Sequence, residues 1–216
     1  MEEVLEVYHR PFHPRFPVIC MDEQPVQLLK EVKTPIPARA AGNGFNGHPE
    51  RVDYEYERNG TACIFMFVQP LGGWRKVMAR PRRKKPDWAE EVGKVVLEDF
   101  PDAERITFVL DNLNVHTKGA LYRYYPPKLA AEIRRRCEFV YTPVHGSWLN
   151  IAENELSVLT RQCLSRRLGD METLRREILA WMQHRNAKQI GVDWQFQVED
   201  ARTKLKSLYP EYIFQK

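Results

Sequence analysis

The spacing of apolar positions changes repeatedly along the chain. "FPVICMDE" (Phe16 to Glu23) is a short apolar run closed by two acids, the pattern of a strand ending at a polar edge. "TPIPARAAGNGFNGHPE" follows, too rich in Pro, Gly and Asn for regular structure, and reads as a long loop. "VDYEYE" and "TACIFMFVQP" flank Asn59-Gly60, which predicts a hairpin turning there. "LGG" then leads into "WRKVMAR", a third strand of the meander. The period becomes helical in "PDWAEEVGKVVLEDF", where Trp88, Val92, Val95, Val96 and Phe100 share a face and Pro86 and Asp87 mark the start. "RITFVLD" is a buried strand, "TKGALYRYY" and "PPKLAAEIRRR" are two short helices, and "CEFVYTP" is one more strand. Beyond it Leu149, Ala152, Leu156, Leu159 and Cys163 step by three and four, and Asp170 opens a further helix. Strands first, then alternating helix and strand, then helices: the order predicts a mixed sheet flanked by helices.

Composition narrows the function classes. A chain of 216 residues can bury one good core. It has no apolar run of about 18 residues to cross a membrane and no apolar segment near Met1 that would make a signal peptide. Cys20, Cys63, Cys137 and Cys163 are far apart, which predicts reduced thiols in a cytoplasmic protein rather than a zinc site. The net charge is only +4, but the basic residues cluster. "ARPRRKKP" holds Arg80, Arg82, Arg83, Lys84 and Lys85; "IRRRC", "LSRRLG" (with Arg166 and Arg167, shortly after Arg161) and "TKLKSL" are the others. Any one cluster reads as a solvated face, whereas together they suit a polyanion such as nucleic acid.

Three carboxylates sit at the ends of elements. Asp22 ends the first strand, Asp111 ends "RITFVLD", and Glu153 lies in the first turns of a later helix. Functional groups gather at the carboxyl ends of strands in α/β sheets. Three converging carboxylates repel unless divalent cations neutralise them, and hard oxygen donors favour Mg²⁺ or Mn²⁺. Two such ions support phosphodiester chemistry. Each acid alone also has a plainer role: a turn after a strand, an Asx-turn at Asp111-Asn112, a complement to the helix dipole. Glu23 is an alternative to Asp22, and Glu155 competes with Glu153, because residues two apart on a helix point about 200° apart and spacing does not say which faces inward.

The blocks "CMDEQPVQLL", "RVDYEYERNGTACIFMF", "VLDNLNVHT" and "YTPVHGSWLNIAENELSVLTRQCLSRR" closely resemble DDE transposases of bacterial insertion sequences, in the mariner-related superfamily (insertion sequence 630 type). The resemblance runs from about Arg10 to Tyr209 and includes "WQFQVEDARTKLKSLYP". It implies a ribonuclease H-like fold, that of retroviral integrases, with a mixed five-stranded sheet flanked by helices. By analogy the catalytic metal ligands are Asp22, Asp111 and Glu153, which chooses Glu153 over Glu155. Asn112, Asn114, His116, His145, Trp148 and Asn150 become supporting or DNA-contacting residues, with packing the expected role of Trp148. Arg80, Arg82, Arg83, Lys84, Lys85, Arg161, Arg166 and Arg167 become contacts to the DNA backbone. The activity implied is cleavage at transposon ends with two Mg²⁺ or Mn²⁺ ions, then joining of the freed 3′-hydroxyl to target DNA. The partners implied are end and target DNA and a homodimer or larger synaptic assembly, in the nucleoid-associated bacterial cytoplasm.

Relatives carry a helix-turn-helix DNA-binding domain before the catalytic one, and here only "MEEVLEVYHRPFHPR" precedes the first strand. Residues 1–14 are therefore expected to be linker, 15–190 the catalytic domain and 191–216 an extension packed on or beside it. A non-catalytic DNA-binding or dimerising remnant that regulates a full-length transposase is the competing expectation. A nuclease that cuts without joining is a narrower one. Retention of all three carboxylates favours chemistry.

Overall fold

The computed structural model describes residues 1–42, 46–144, 146–206 and 209. Five strands make one mixed sheet in the order β3-β2-β1-β4-β5. These are β1 (Val18–Glu31), β2 (Tyr56–Gln69), β3 (Trp74–Arg80), β4 (Ile106–Leu110) and β5 (Cys137–Tyr141). The first three form an antiparallel meander, while β4 joins β1 in parallel and β5 joins β4 in parallel. The helices are α1 (Glu2–Tyr8), α2 (Lys85–Lys94), α3 (Pro127–Arg136), α4 (Ile151–Leu159), α5 (Met171–Ala187) and α6 (Val198–Lys204). Both α2 and α4 run on into a π-helical turn, Val95–Asp99 and Thr160–Leu164. No helix among the described residues is long and apolar enough to cross a membrane.

Period-two alternation along the strands builds two cores, one on each face of the sheet. Cys20, Ile64, Met66, Val68, Val77 and Val109 meet α1, α4, α5 and α6 on one face. Ile19, Met21, Phe65, Phe67, Ile106 and Phe108 meet α2 and α3 on the other. The four cysteines are free and buried in these layers. Residues 2–8 belong to the first core: Val4, Leu5 and Val7 are buried in it. Val192, Trp194, Phe196 and Leu205 pack against the same layer from the other end of the chain.

Asn59-Gly60 is not a hairpin turn. The chain runs straight through it as the single strand β2, paired with β1 along nearly its whole length. The register shifts between Gln27 and Leu29, opposite Thr61 and Arg58, so the pair forms a bulge. Gly60 takes φ +87°, a conformation that suits both a hairpin turn and a bulge, and the local sequence does not separate them. β1 likewise extends to Glu31, through Pro25. β4 pairs only with Val18–Cys20, so among the described residues β1 has no paired strand on that side from Met21 onward, where proline is tolerated. The short helix expected over "TKGALYRYY" is a 3₁₀ turn, Lys118–Arg123.

Candidate metal and phosphodiester site

The parallel register between β1 and β4 sets the site. Ile19 lies opposite Phe108 and Cys20 opposite Val109, so two residues further on the strands bring Asp22 and Asp111 out at the same level. Strand alternation gives them the same face. Asp22 follows the parity of Cys20, and Asp111 that of Val109, both in the α4 layer.

Glu153 reaches that edge because α4 starts over it. Asn150 is the N-cap, its side-chain oxygen accepting from the Ala152 N–H at 3.1 Å. The same side chain donates its Nδ2 to the Met21 carbonyl at 2.8 Å, one residue from Asp22. Asn150 is 1% exposed, so a single amide fixes the helix start to the aspartate's strand. Tyr8 supports the same junction: its hydroxyl donates to the Leu149 carbonyl at 2.6 Å, and the Ile151 N–H donates back to it at 3.4 Å. Asn150→Ala is expected to lower stability by about 2 kcal/mol, from loss of a cap and of a buried hydrogen bond. Urea unfolding measures it, and a loss below a few tenths would mean that the helix start is held by packing alone.

The charges of Asp111 and Glu153 reach Asp22, though among the described residues these three acids do not share the metal-ligand spacing that Glu23, Asp111 and His116 have. Burial pushes the Asp22 carboxyl up to about 7, and the charges of Asp111, Glu153 and Glu23 add to the rise, against a stabilising 2.7 Å hydrogen bond from the Glu23 N–H. Asp111 behaves oppositely. Its burial would raise it, but the hydrogen bond and charge of His116, the Leu113 N–H and the Arg83 charge hold it below the ordinary range.

On the opposite face lies a bridge that the sequence did not suggest. Glu23 follows Met21 into the α2 layer, 8% exposed. The buried His116 donates from Nε2 to its carboxylate at 2.9 Å and from Nδ1 to Asp111 Oδ1 at 2.7 Å. Burial alone would lower the imidazole, but the two carboxylates hold it up at about 9, so both nitrogens carry protons. The Trp88 ring lies 5.6 Å from it, and Tyr141 donates to the His116 carbonyl at 2.8 Å. Glu23, Asp111 and His116 have metal-ligand spacing, within 4.8 Å of one another. With both ring nitrogens spent as donors, the trio acts as a hydrogen-bonded brace on Asp111.

The remaining residues singled out from the sequence separate into groups. Asn112 donates to the Thr142 carbonyl and holds the loop after β4 to β5. Asn114 is exposed. Trp148 is half-exposed and sets its edge against Phe196, with ring centroids 5.9 Å apart. His145 lies outside the described residues. Arg82, Arg83, Lys84 and Lys85 are exposed in the loop from β3 to the start of α2, and Arg161 is exposed beyond α4. Arg80 is instead tied to Glu90, Glu91 and Asp87. Arg166 pairs with Glu177. Arg167 bonds Glu31 at 2.7 Å and covers the Tyr56 ring. These three arginines have structural partners.

Sequence and fold comparisons bear on the family and the fold. A family model described as DDE superfamily endonuclease matches residues 17–175, which include all three acids. No curated protein matches the chain. Among solved structures, the Mos1 strand transfer complex superposes with a TM-score of 0.53 at 13% identity, covering 88% of this chain and 54% of that one. The mariner Mos1 paired end complex with Mg gives 0.51 at 12% identity, covering 88% and 60%. The likeness is one of fold, the ribonuclease H-like mixed sheet flanked by helices. The chain spans little more than half the length of these structures.

Proposed function

Because the chain belongs to the DDE superfamily endonucleases, we propose that it is the catalytic domain of a transposase of the insertion sequence 630 type, cutting DNA at transposon ends and joining the 3′-hydroxyl to target DNA. The observation that carries this reading is the register that brings Asp22 and Asp111 out at one level of neighbouring strands, with Glu153 close enough for its charge to reach Asp22. Mutually repelling carboxylates at a sheet edge destabilise the chain by themselves and suit hard divalent cations. Asp22, Asp111 and Glu153 would hold Mg²⁺ or Mn²⁺ ions, which when bound activate the attacking oxygen and stabilise the leaving one.

The protein's own part is orientation. His116, braced by Glu23, holds Asp111, and Asn150 ties the start of the helix that carries Glu153 to the strand of Asp22. Arg83 brings positive charge within reach of Asp111, where a scissile phosphate would add negative charge. The fold is shared with a Mos1 strand transfer complex and a Mos1 paired end complex, which supports DNA ends and a multi-subunit assembly as partners. We assign residues 15–190 to catalysis, in a bacterial cytoplasmic, nucleoid-associated protein. Incubation with a pre-cleaved end duplex and a supercoiled plasmid in Mg²⁺ tests the reading. Joined products support it, cutting without joining reduces the protein to a nuclease, and neither product overturns it.

Charge reversal of Arg82, Arg83, Lys84 and Lys85 to glutamate is expected to weaken DNA binding about equally for all sequences and to flatten its salt dependence by up to about four counterions. Affinity measured across a salt series checks this, and an unchanged slope would make the loop a solvated face.

A further inference from the structure

Glu155 is a buried carboxylate, 3% exposed, two residues from Glu153 and on the other side of α4. Two guanidinium groups converge on it. Arg75, on β3 and 1% exposed, donates from Nε and Nη2 to its two oxygens, each at 3.0 Å. Arg185, on α5, donates to the same oxygens at 2.8 and 3.3 Å. Arg75 also donates to the Gly73 carbonyl at 2.7 Å and to that of Ile190. Asn186, next to Arg185, exchanges two hydrogen bonds with the Arg75 backbone, at 2.8 and 2.7 Å. One carboxylate therefore joins β3, α4 and α5.

The apolar face of α4, with Ile151, Ala152, Leu156 and Leu159, favours burial but is indifferent to small rotations, since hydrophobic contact is non-directional. Planar, two-bonded contacts between guanidinium and carboxylate are directional and set an angle. Asn150 pins the start of the helix, and Glu155 pins it little more than a turn later from the opposite side.

We infer that Glu155, clamped by Arg75 and Arg185, is the positioning residue that fixes the rotation of α4 and so presents Glu153 to Asp22 and Asp111. The inference rests on the proposed metal site and extends it to residues that touch neither ion nor DNA. It also gives the two glutamates distinct roles that their spacing leaves open.

The experiment is a Mn²⁺ titration of the full chain by calorimetry, with thermal unfolding in parallel, on wild type, Arg185→Lys, Glu155→Gln and Ile178→Val. Arg185→Lys keeps the charge but loses the two-bonded contact. Ile178→Val is a core change in α5 away from the clamp. The expected result is a Mn²⁺ dissociation constant raised roughly tenfold or more in Arg185→Lys, the scale of loss typical when the support of a metal ligand is removed. Ile178→Val should leave it unchanged even with a similar loss of Tm. Arg185→Lys is the deciding variant if Glu155→Gln fails to fold. A folded Arg185→Lys with wild-type affinity overturns the clamp and leaves the proposed function standing. An equal affinity loss in Ile178→Val makes the clamp merely structural and overturns it. Absence of Mn²⁺ binding by the wild type overturns both.

Discussion

Asp111→Ala and Glu153→Gln are each expected to lower metal-dependent DNA cleavage at least about 10³-fold, since metal activation of a phosphodiester supplies several kcal/mol of transition-state stabilisation. Glu153→Gln is the cleaner of the two. The amide keeps the shape of the side chain and loses the charge that Asp22 feels across the site. Asp111→Ala also removes one of the two carboxylates on the buried His116, so part of its loss comes through the brace. The two variants should therefore agree in activity and differ in stability, with Asp111→Ala the less stable. Cleavage of a labelled end duplex and thermal unfolding read the two quantities separately. Wild-type cleavage in Glu153→Gln would sink the assignment of that residue.

Deleting residues 1–8 is expected to abolish the fold. Val4 and Leu5 are completely buried and Val7 and Tyr8 nearly so. At roughly 1.5–3 kcal/mol for each buried apolar side chain, their loss amounts to about 6–12 kcal/mol. That is comparable to the roughly 5–15 kcal/mol by which whole domains are stable. Tyr8 adds its hydrogen bonds at the start of α4. Circular dichroism of the truncated chain checks the result. A cooperative melt within a few degrees of the full chain would show that α1 decorates the domain instead of completing it.

What could be read from the sequence followed how locally each feature is determined. "RITFVLD" announces a buried strand that ends on a carboxylate, and the structure places Asp111 at that mouth. Asp170 announces a helix start, and its side chain accepts from the Thr173 N–H at 2.7 Å. The Asn59-Gly60 turn misled because a bulge and a hairpin ask for the same residues, and only the partner strand decides. The basic clusters were legible as charge but not as availability. Arg80, Arg166 and Arg167 form salt bridges with acids on other elements, whereas Arg82 and Arg83 stay exposed in the loop before α2. The partners of Glu23, Glu155 and Arg75 were not legible for a related reason: a lone charged residue inside a strand or helix signals burial only once its partner is known. The pair "DE" within β1 was the available clue. Adjacent strand residues face opposite sides, so the two acids had to serve different neighbours.

The seating of α1 also has a temporal side. Its Tyr8 bonds a carbonyl 141 residues later, and Glu2 pairs with Arg202, 200 residues later. At translation rates of about 5–20 residues per second, the first helix waits roughly 7–30 s for Leu149 to be made, its apolar side uncovered meanwhile. Contacts this distant also slow folding once the chain is whole. The helix that carries Glu153 gains its last support only once Arg185 and Arg202 have been made, so a chain cut short before them would be released with that helix unsupported.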